Sequence, residues 1–176
     1  RFGSDVQLTK SNGYRNVVKG ALAYTGNFKP VAVKASADII SGVIHSSSYR
    51  DFTAWDVGAE AAYSGFTLGA NYSNLGRYLT IIGQNKEQQT FGAGLTYQFC
   101  CALSAGINYL GGEGYSTLMG GWGGYVKEFN NYSFASTYTW APGLTTTGNV
   151  VLFDEKAATG VKNDGYVLLI SQKLAF

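Results

Sequence analysis

Along most of the chain, apolar and polar residues alternate one by one. This is the period of an extended strand with one face against an apolar medium and the other against water. In the stretch from Phe66 to Tyr72 the apolar set is Phe66, Leu68, Ala70 and Tyr72; from Phe91 to Phe99 it is Phe91, Ala93, Leu95, Tyr97 and Phe99. The residues between them are Gly, Thr, Asn and Gln. Eight segments of about ten residues follow this rule, close to the length that crosses a bilayer as a tilted strand. They cover residues 14–24, 30–40, 52–63, 66–74, 89–99, 102–110, 132–140 and 144–153, and residues 165–176 add another. Nothing reads as a helix, because no stretch approaches the roughly 20 apolar residues of a membrane span.

The final segment is the most informative. It places Tyr166, Leu168, Ile170, Leu174 and Phe176 on one face and ends on an aromatic; Gln172 departs from the apolar set. At the bare edge of a soluble sheet such a strand would invite aggregation, whereas a closed barrel in a membrane leaves no edge. The pattern therefore predicts an all-β fold, an antiparallel up-and-down transmembrane β-barrel. Aromatics gather at segment ends, as Tyr63, Phe66, Tyr72, Tyr97, Phe99 and Tyr109 do, which suits girdles at two membrane interfaces.

Connections alternate as well: 25–29 is short, 41–51 long, 64–65 short, 75–88 long and 100–101 short. Outer-membrane barrels keep short turns in the periplasm and long loops outside. On that rule the first segment descends, residues 1–13 lie outside, and the strand count is odd. Single-chain bacterial barrels carry an even count, so residues 1–176 read as one barrel domain that is part of something larger. Arg1 stands in place of a start Met or a signal segment, so the chain is expected to be either processed or cut from something longer. Residues 118–129, with Trp122, Tyr125 and Phe129, could form a further strand. That would set two short turns in succession, at 130–131 and 141–143, so 111–131 is expected to be a long external loop.

Composition sharpens the picture. The chain has 24 Gly, 13 Tyr, 10 Phe and 3 Trp against 2 Pro, and 45% of its residues are hydrophobic. Its 13 basic and 11 acidic residues leave a net charge of +2, too weak and too dispersed for a nucleic-acid partner. With the apolar set outward, the inward set includes Lys19, Lys34, Asp38, Asp56, Glu60, Asn71, Gln98, Asn108 and Lys173. Fixed charges along a lumen set its potential and its ion preference. Lysines and carboxylates balance here, so no strong selectivity is expected, and each charge also reads as a solvated wall residue paired across strands.

No reaction chemistry can be assembled. His45 is the single histidine and sits in a polar loop, which leaves no set of nucleophile, base and orienting residue. Cys100 and Cys101 are adjacent, too close for metal-ligand spacing and strained as a disulfide, and read as small turn residues. The glycine clusters at 111–114 and 120–124 lack the strand-to-helix context and the lysine of a phosphate-binding loop. The chain is read as no enzyme, with no cofactor and no metal.

Residues 141–144 (Ala-Pro-Gly-Leu), 150–154 (Val-Val-Leu-Phe-Asp), 162–166 (Lys-Asn-Asp-Gly-Tyr) and the strand to Phe176 resemble the end of the Gram-negative general-diffusion porins. The hairpins at 57–72 and 91–97 are similar to that family too. The resemblance implies a barrel of about sixteen strands in the bacterial outer membrane, a homotrimer, with a constriction loop from an N-terminal half that this chain does not supply. It also implies that Tyr166, Leu168, Ile170, Leu174 and Phe176 form the address read by the barrel-assembly machinery. The expected function is passive diffusion of small hydrophilic solutes and ions through a water-filled channel. The main alternative is a small closed structural or adhesive barrel acting through its external loops, ahead of an outer-membrane enzyme or a soluble β-rich binding protein.

Overall fold

The computed structural model describes residues 2–11, 14–44, 51–76, 87–116, 126–157 and 160–175, by backbone alone up to residue 15 and at residues 44, 115, 116 and 126. Ten strands follow one another: β1 (Phe2–Ser11), β2 (Tyr14–Phe28), β3 (Val31–Ile44), β4 (Phe52–Tyr63), β5 (Phe66–Gly76), β6 (Gln88–Gln98), β7 (Leu103–Ser116), β8 (Val126–Ala141), β9 (Leu144–Ala157) and β10 (Lys162–Leu174). Each pairs antiparallel with the next in a single 10-stranded sheet of order β1 to β10. Among the described residues β1 and β10 are its two edges, and no contact joins them.

Cross-strand pairing puts opposite residues on the same side, so the register sorts the whole sheet into two faces. One face carries a row that is aliphatic but for Phe134: Leu68 opposite Leu95, then Ile107, Phe134, Val150 and Leu168. An aromatic row flanks it on each side. Toward the long connections stand Trp55, Tyr72, Phe91, Tyr109, Tyr132 and Tyr166, with ring centroids 5.2 Å apart for Trp55 and Tyr72 and 5.2 Å for Tyr109 and Tyr132. Toward the short turns stand Tyr63, Phe66, Tyr97, Phe99, Tyr138 and Trp140, with Phe66 and Tyr97 at 4.3 Å and Tyr138 and Trp140 at 4.7 Å. From Trp55 to Tyr63 is about 27 Å along β4, or about 21 Å in height at the usual strand tilt, close to the apolar band of an outer-membrane barrel.

Two expectations from the sequence need correction. Residues 1–13 are expected from the connection lengths to be extracellular, yet Phe2–Ser11 is a strand paired along β2, from Ser11 opposite Tyr14 to Phe2 opposite Tyr24 near the short turn. The count is therefore ten rather than odd, and the inference from parity falls. Residues 111–131 were expected to be one long loop, but β7 runs on to Ser116 and β8 starts at Val126. Of the aromatics in that stretch Phe129 lies in β8, while Trp122 and Tyr125 fall outside the described residues. The physical reason is that alternation ends where lipid ends and hydrogen bonding does not. Beyond the upper aromatic row the same face turns polar, with Glu113 opposite Glu128, Lys156 and Lys162 in succession, while the ladder continues.

The short connections show why their residues are there. Ser64 and Gly65 both take positive φ, 48° and 86°, the mirror-image turn whose twist matches an antiparallel hairpin. Gly143 has φ 84°, and its carbonyl accepts the Ala175 N–H at 2.8 Å, tying the end of β10 to the turn. A Cβ at Gly143 would collide with the Ala175 carbonyl oxygen. Gly143→Val is expected to destabilise the sheet by about 2 kcal/mol or more, from left-handed backbone strain plus that collision. Urea unfolding of the refolded protein in lipid checks this against Gly148→Ala, whose Cβ would meet nothing within 4 Å.

Candidate functional site: the polar face of the sheet

The other face is built from small and polar residues. All of Lys19, Lys34, Asp38, Asp56, Glu60, Asn71, Gln98, Asn108 and Lys173 fall on it by register, because Thr25, Lys34, Glu60, Gly69, Gly94, Asn108 and Ser133 form one cross-strand row and the others lie in parallel rows. They are not one cluster. Lys34, Glu60, Asn71 and Asn108 line a concave trough of about 670 Å³ across β2 to β7. Asp38 and Asp56 stand directly opposite one another nearer the long connections. Lys19 pairs across to Ile40, one position further on. Gln98 and Lys173 lie at the short-turn end.

Glycine shapes the trough. A Cβ at Gly92 would collide with the amide oxygen of Asn71, and one at Gly94 with that of Asn108. The two asparagines thus lie flat over backbone instead of standing into the concavity, a close approach that only glycine permits. At one end Lys34 Nζ donates to Glu60 Oε1 at 2.9 Å. Their side chains are 64% and 41% exposed, so this pair is held in water and is worth little to stability.

The acidic pair has a different setting. Like charges directly opposite in a sheet repel, so two carboxylates here need solvent around them. Ser73 Oγ donates to Asp56 Oδ2 at 2.8 Å, which orients the Asp56 carboxyl. Gln98 turns away from the concavity: its Nε2 donates to the carbonyls of Cys100 and, at 3.2 Å, Leu103, closing the β6–β7 turn. Cys100 and Cys101 are exposed free thiols in that turn. His45 and residues 120–124 fall outside the described residues.

Sequence reasoning missed two features. The hydroxyls of Thr25, Ser36, Thr67 and Thr96 join the trough, and nothing distinguishes them from turn or ladder threonines in the sequence. The polar face also carries apolar ground. Ile40 packs with buried Val17, Phe52 and Ala54 near the long connections, and Val151, Phe153, Val167 and Leu169 share this face on β9 and β10.

Tyr166, Leu168, Ile170 and Leu174 sit together on the apolar face of β10 with Gln172 among them, and Phe176 lies outside the described residues. No group of three or more metal-ligating side chains exists among the described residues.

A sheet with a lipid-height apolar band on one side and a glycine-floored polar trough on the other has the two faces that the wall of an outer-membrane barrel requires. The chain has the fold of the outer membrane channel DcaP of Acinetobacter baumannii, with a TM-score of 0.70 at 13% identity, over 99% of this chain and 54% of that one. It thus spans about half of that channel's length. No curated protein matches in sequence. The family model of the Gram-negative porins matches residues 3–158. With the alternation, the girdles and the family match in agreement, the chain belongs to the Gram-negative porin family and resides in the outer membrane.

Proposed function

We propose that this chain forms part of the wall of a water-filled outer-membrane channel through which small hydrophilic solutes and ions diffuse passively, with no covalent chemistry. The observation that carries this reading is the division of one sheet into a lipid-height apolar face and a face of small and polar residues around an open trough. Lys19, Lys34, Asp38, Asp56, Glu60, Asn71, Asn108 and Lys173 then line the lumen, and Gln98 holds its short-turn rim. The lack of any contact between β1 and β10 favours a wider barrel over a small closed one, in which side chains fill the interior. The described residues would supply ten strands of it, as the C-terminal portion of a longer porin, and an even number of further strands would bridge the two edges.

Outer-membrane lipid is the partner of the apolar face. The set Tyr166, Leu168, Ile170, Leu174 and Phe176 is the segment offered to the barrel-assembly machinery, and the family resemblance favours a homotrimer. Efflux from proteoliposomes tests the function. The full reading frame carrying this chain is expected to release entrapped monosaccharide rapidly and to retain a polysaccharide. Retention of both solutes by correctly inserted protein would refute the channel.

A further inference from the structure

Rest the chain in that channel, and the trough acquires a ligand chemistry of its own. Its end carries one cation and one anion side by side, Lys34 and Glu60 at 2.9 Å, both open to solvent. Its floor carries two amides, Asn71 and Asn108, laid flat where Gly92 and Gly94 make room. The volume, about 670 Å³, suits a small organic molecule.

Three classes of solute would meet this surface differently. A simple anion or cation finds one partner and is repelled by its neighbour. A polyol can bond the amides and hydroxyls but gains nothing from the ion pair. A small zwitterion satisfies both charges at once, its carboxylate on Lys34 and its ammonium on Glu60, while its polar side chain reaches the amides. The exchange is easy because an ion pair this exposed is weak and salt-screened, so opening it forfeits little. Two charge-assisted bonds replace one of the same kind and exposure, a net gain of one. Weak, reversible binding of this sort is what conduction tolerates: favourable enough to draw a solute in, loose enough to release it.

We propose that the Lys34–Glu60 end of the trough is a transit site for small zwitterions of the α-amino-acid type. The inference rests on the channel reading, and the test separates the two. Single channels of the full-length protein are recorded in a planar bilayer at 0.1 M KCl while L-glutamine is added, with N-acetylalaninamide as an uncharged solute of similar size. L-Glutamine is expected to reduce the current reversibly and saturably; N-acetylalaninamide is not. In the double variant Lys34→Met with Glu60→Gln, which keeps the wall's net charge, the half-saturating concentration is expected to rise about tenfold, the net loss of about one charge-assisted hydrogen bond once the two made to the zwitterion are set against the ion pair they open. The exchange variant Lys34→Glu with Glu60→Lys keeps both signs and is expected to retain saturation. Each effect is read against that variant's own KCl current, in protein whose folding is confirmed by heat-modifiable migration.

Equal effects of the two solutes, or unaltered glutamine saturation in the double variant, would overturn the site and leave the channel standing. Absence of any KCl current from the inserted wild type would remove the channel, and the site with it.

Discussion

Arginine in place of Leu68 or Ile107 is expected to keep the chain out of its bilayer-inserted form, while arginine at Thr67 is expected to be accepted. Leu68 and Ile107 are 59% and 52% exposed in the aliphatic row midway between the aromatic girdles. A charge at that depth on a barrel's lipid face costs about 2–4 kcal/mol, a large fraction of the stability of a domain this size. Thr67 is the next residue of the same strand, but it pairs with Ala62 and Thr96 on the polar face, where a guanidinium meets water. One step along the chain thus separates loss of folding from near neutrality, a parity that only a two-sided sheet produces. Heat-modifiable migration after refolding into lipid vesicles reads the folded fraction directly. Equal loss at positions 67 and 68 would show that the face assignment is wrong.

The second large effect concerns ions. Lys34 and Glu60 neutralise one another, whereas Asp38 and Asp56 stand opposite each other, with a hydroxyl as the recorded partner of Asp56. Replacing both aspartates by lysine changes the wall by four elementary charges at one level of the lumen. The reversal potential across a KCl gradient is expected to move toward anions, and the shift is expected to depend strongly on salt. The Debye length falls from about 30 Å at 0.01 M to about 3 Å at 1 M, so screening strengthens with salt and the shift should be several-fold larger in dilute KCl. A neutral Asp38→Asn, Asp56→Asn pair should move the potential the same way by about half as much. No movement in dilute salt would place these carboxylates away from the permeation path.

Much of the fold was legible because lipid enforces a strict period. Where the sheet crosses the apolar band, as in Phe66–Gly76 and Gln88–Gln98, outward residues must be apolar, and alternation marks each strand within a few positions. Where the same strands rise beyond the band, no such rule acts. The upper parts of β7 and β8 are therefore rich in Gly, Glu, Asn and Lys, with Tyr115, Val126 and Phe129 too sparse to alternate, and look like a loop. The first strand hid for a related reason: Phe2, Val6 and Leu8 alternate with Gly3, Asp5, Gln7 and Thr9, but Ser4 interrupts the apolar set and the signal is short. The hydrogen-bond ladder needs no particular side chain, so only pairing with β2 reveals it.

The candidate site was half legible. Charged residues at inward parity could be named from spacing, and the register does put them on one face. What spacing could not show is which of them face each other, since cross-strand neighbours such as Lys34 and Glu60 are 26 residues apart. The glycines were legible only as permissive positions in curved strands. Their specific use, letting Asn71 and Asn108 lie against the backbone at Gly92 and Gly94, depends on three strands meeting in one register. Gln98 shows the converse: its parity is inward, yet its amide is occupied by the carbonyls of its own turn.

Single-channel recording of the full reading frame in a planar bilayer tests the central claim most directly. Discrete, ohmic current steps in KCl, whose cation preference falls in the Asp38→Lys, Asp56→Lys variant, are the predicted result. Inserted, heat-modifiable protein that passes no current would contradict it and make this sheet the wall of a closed barrel.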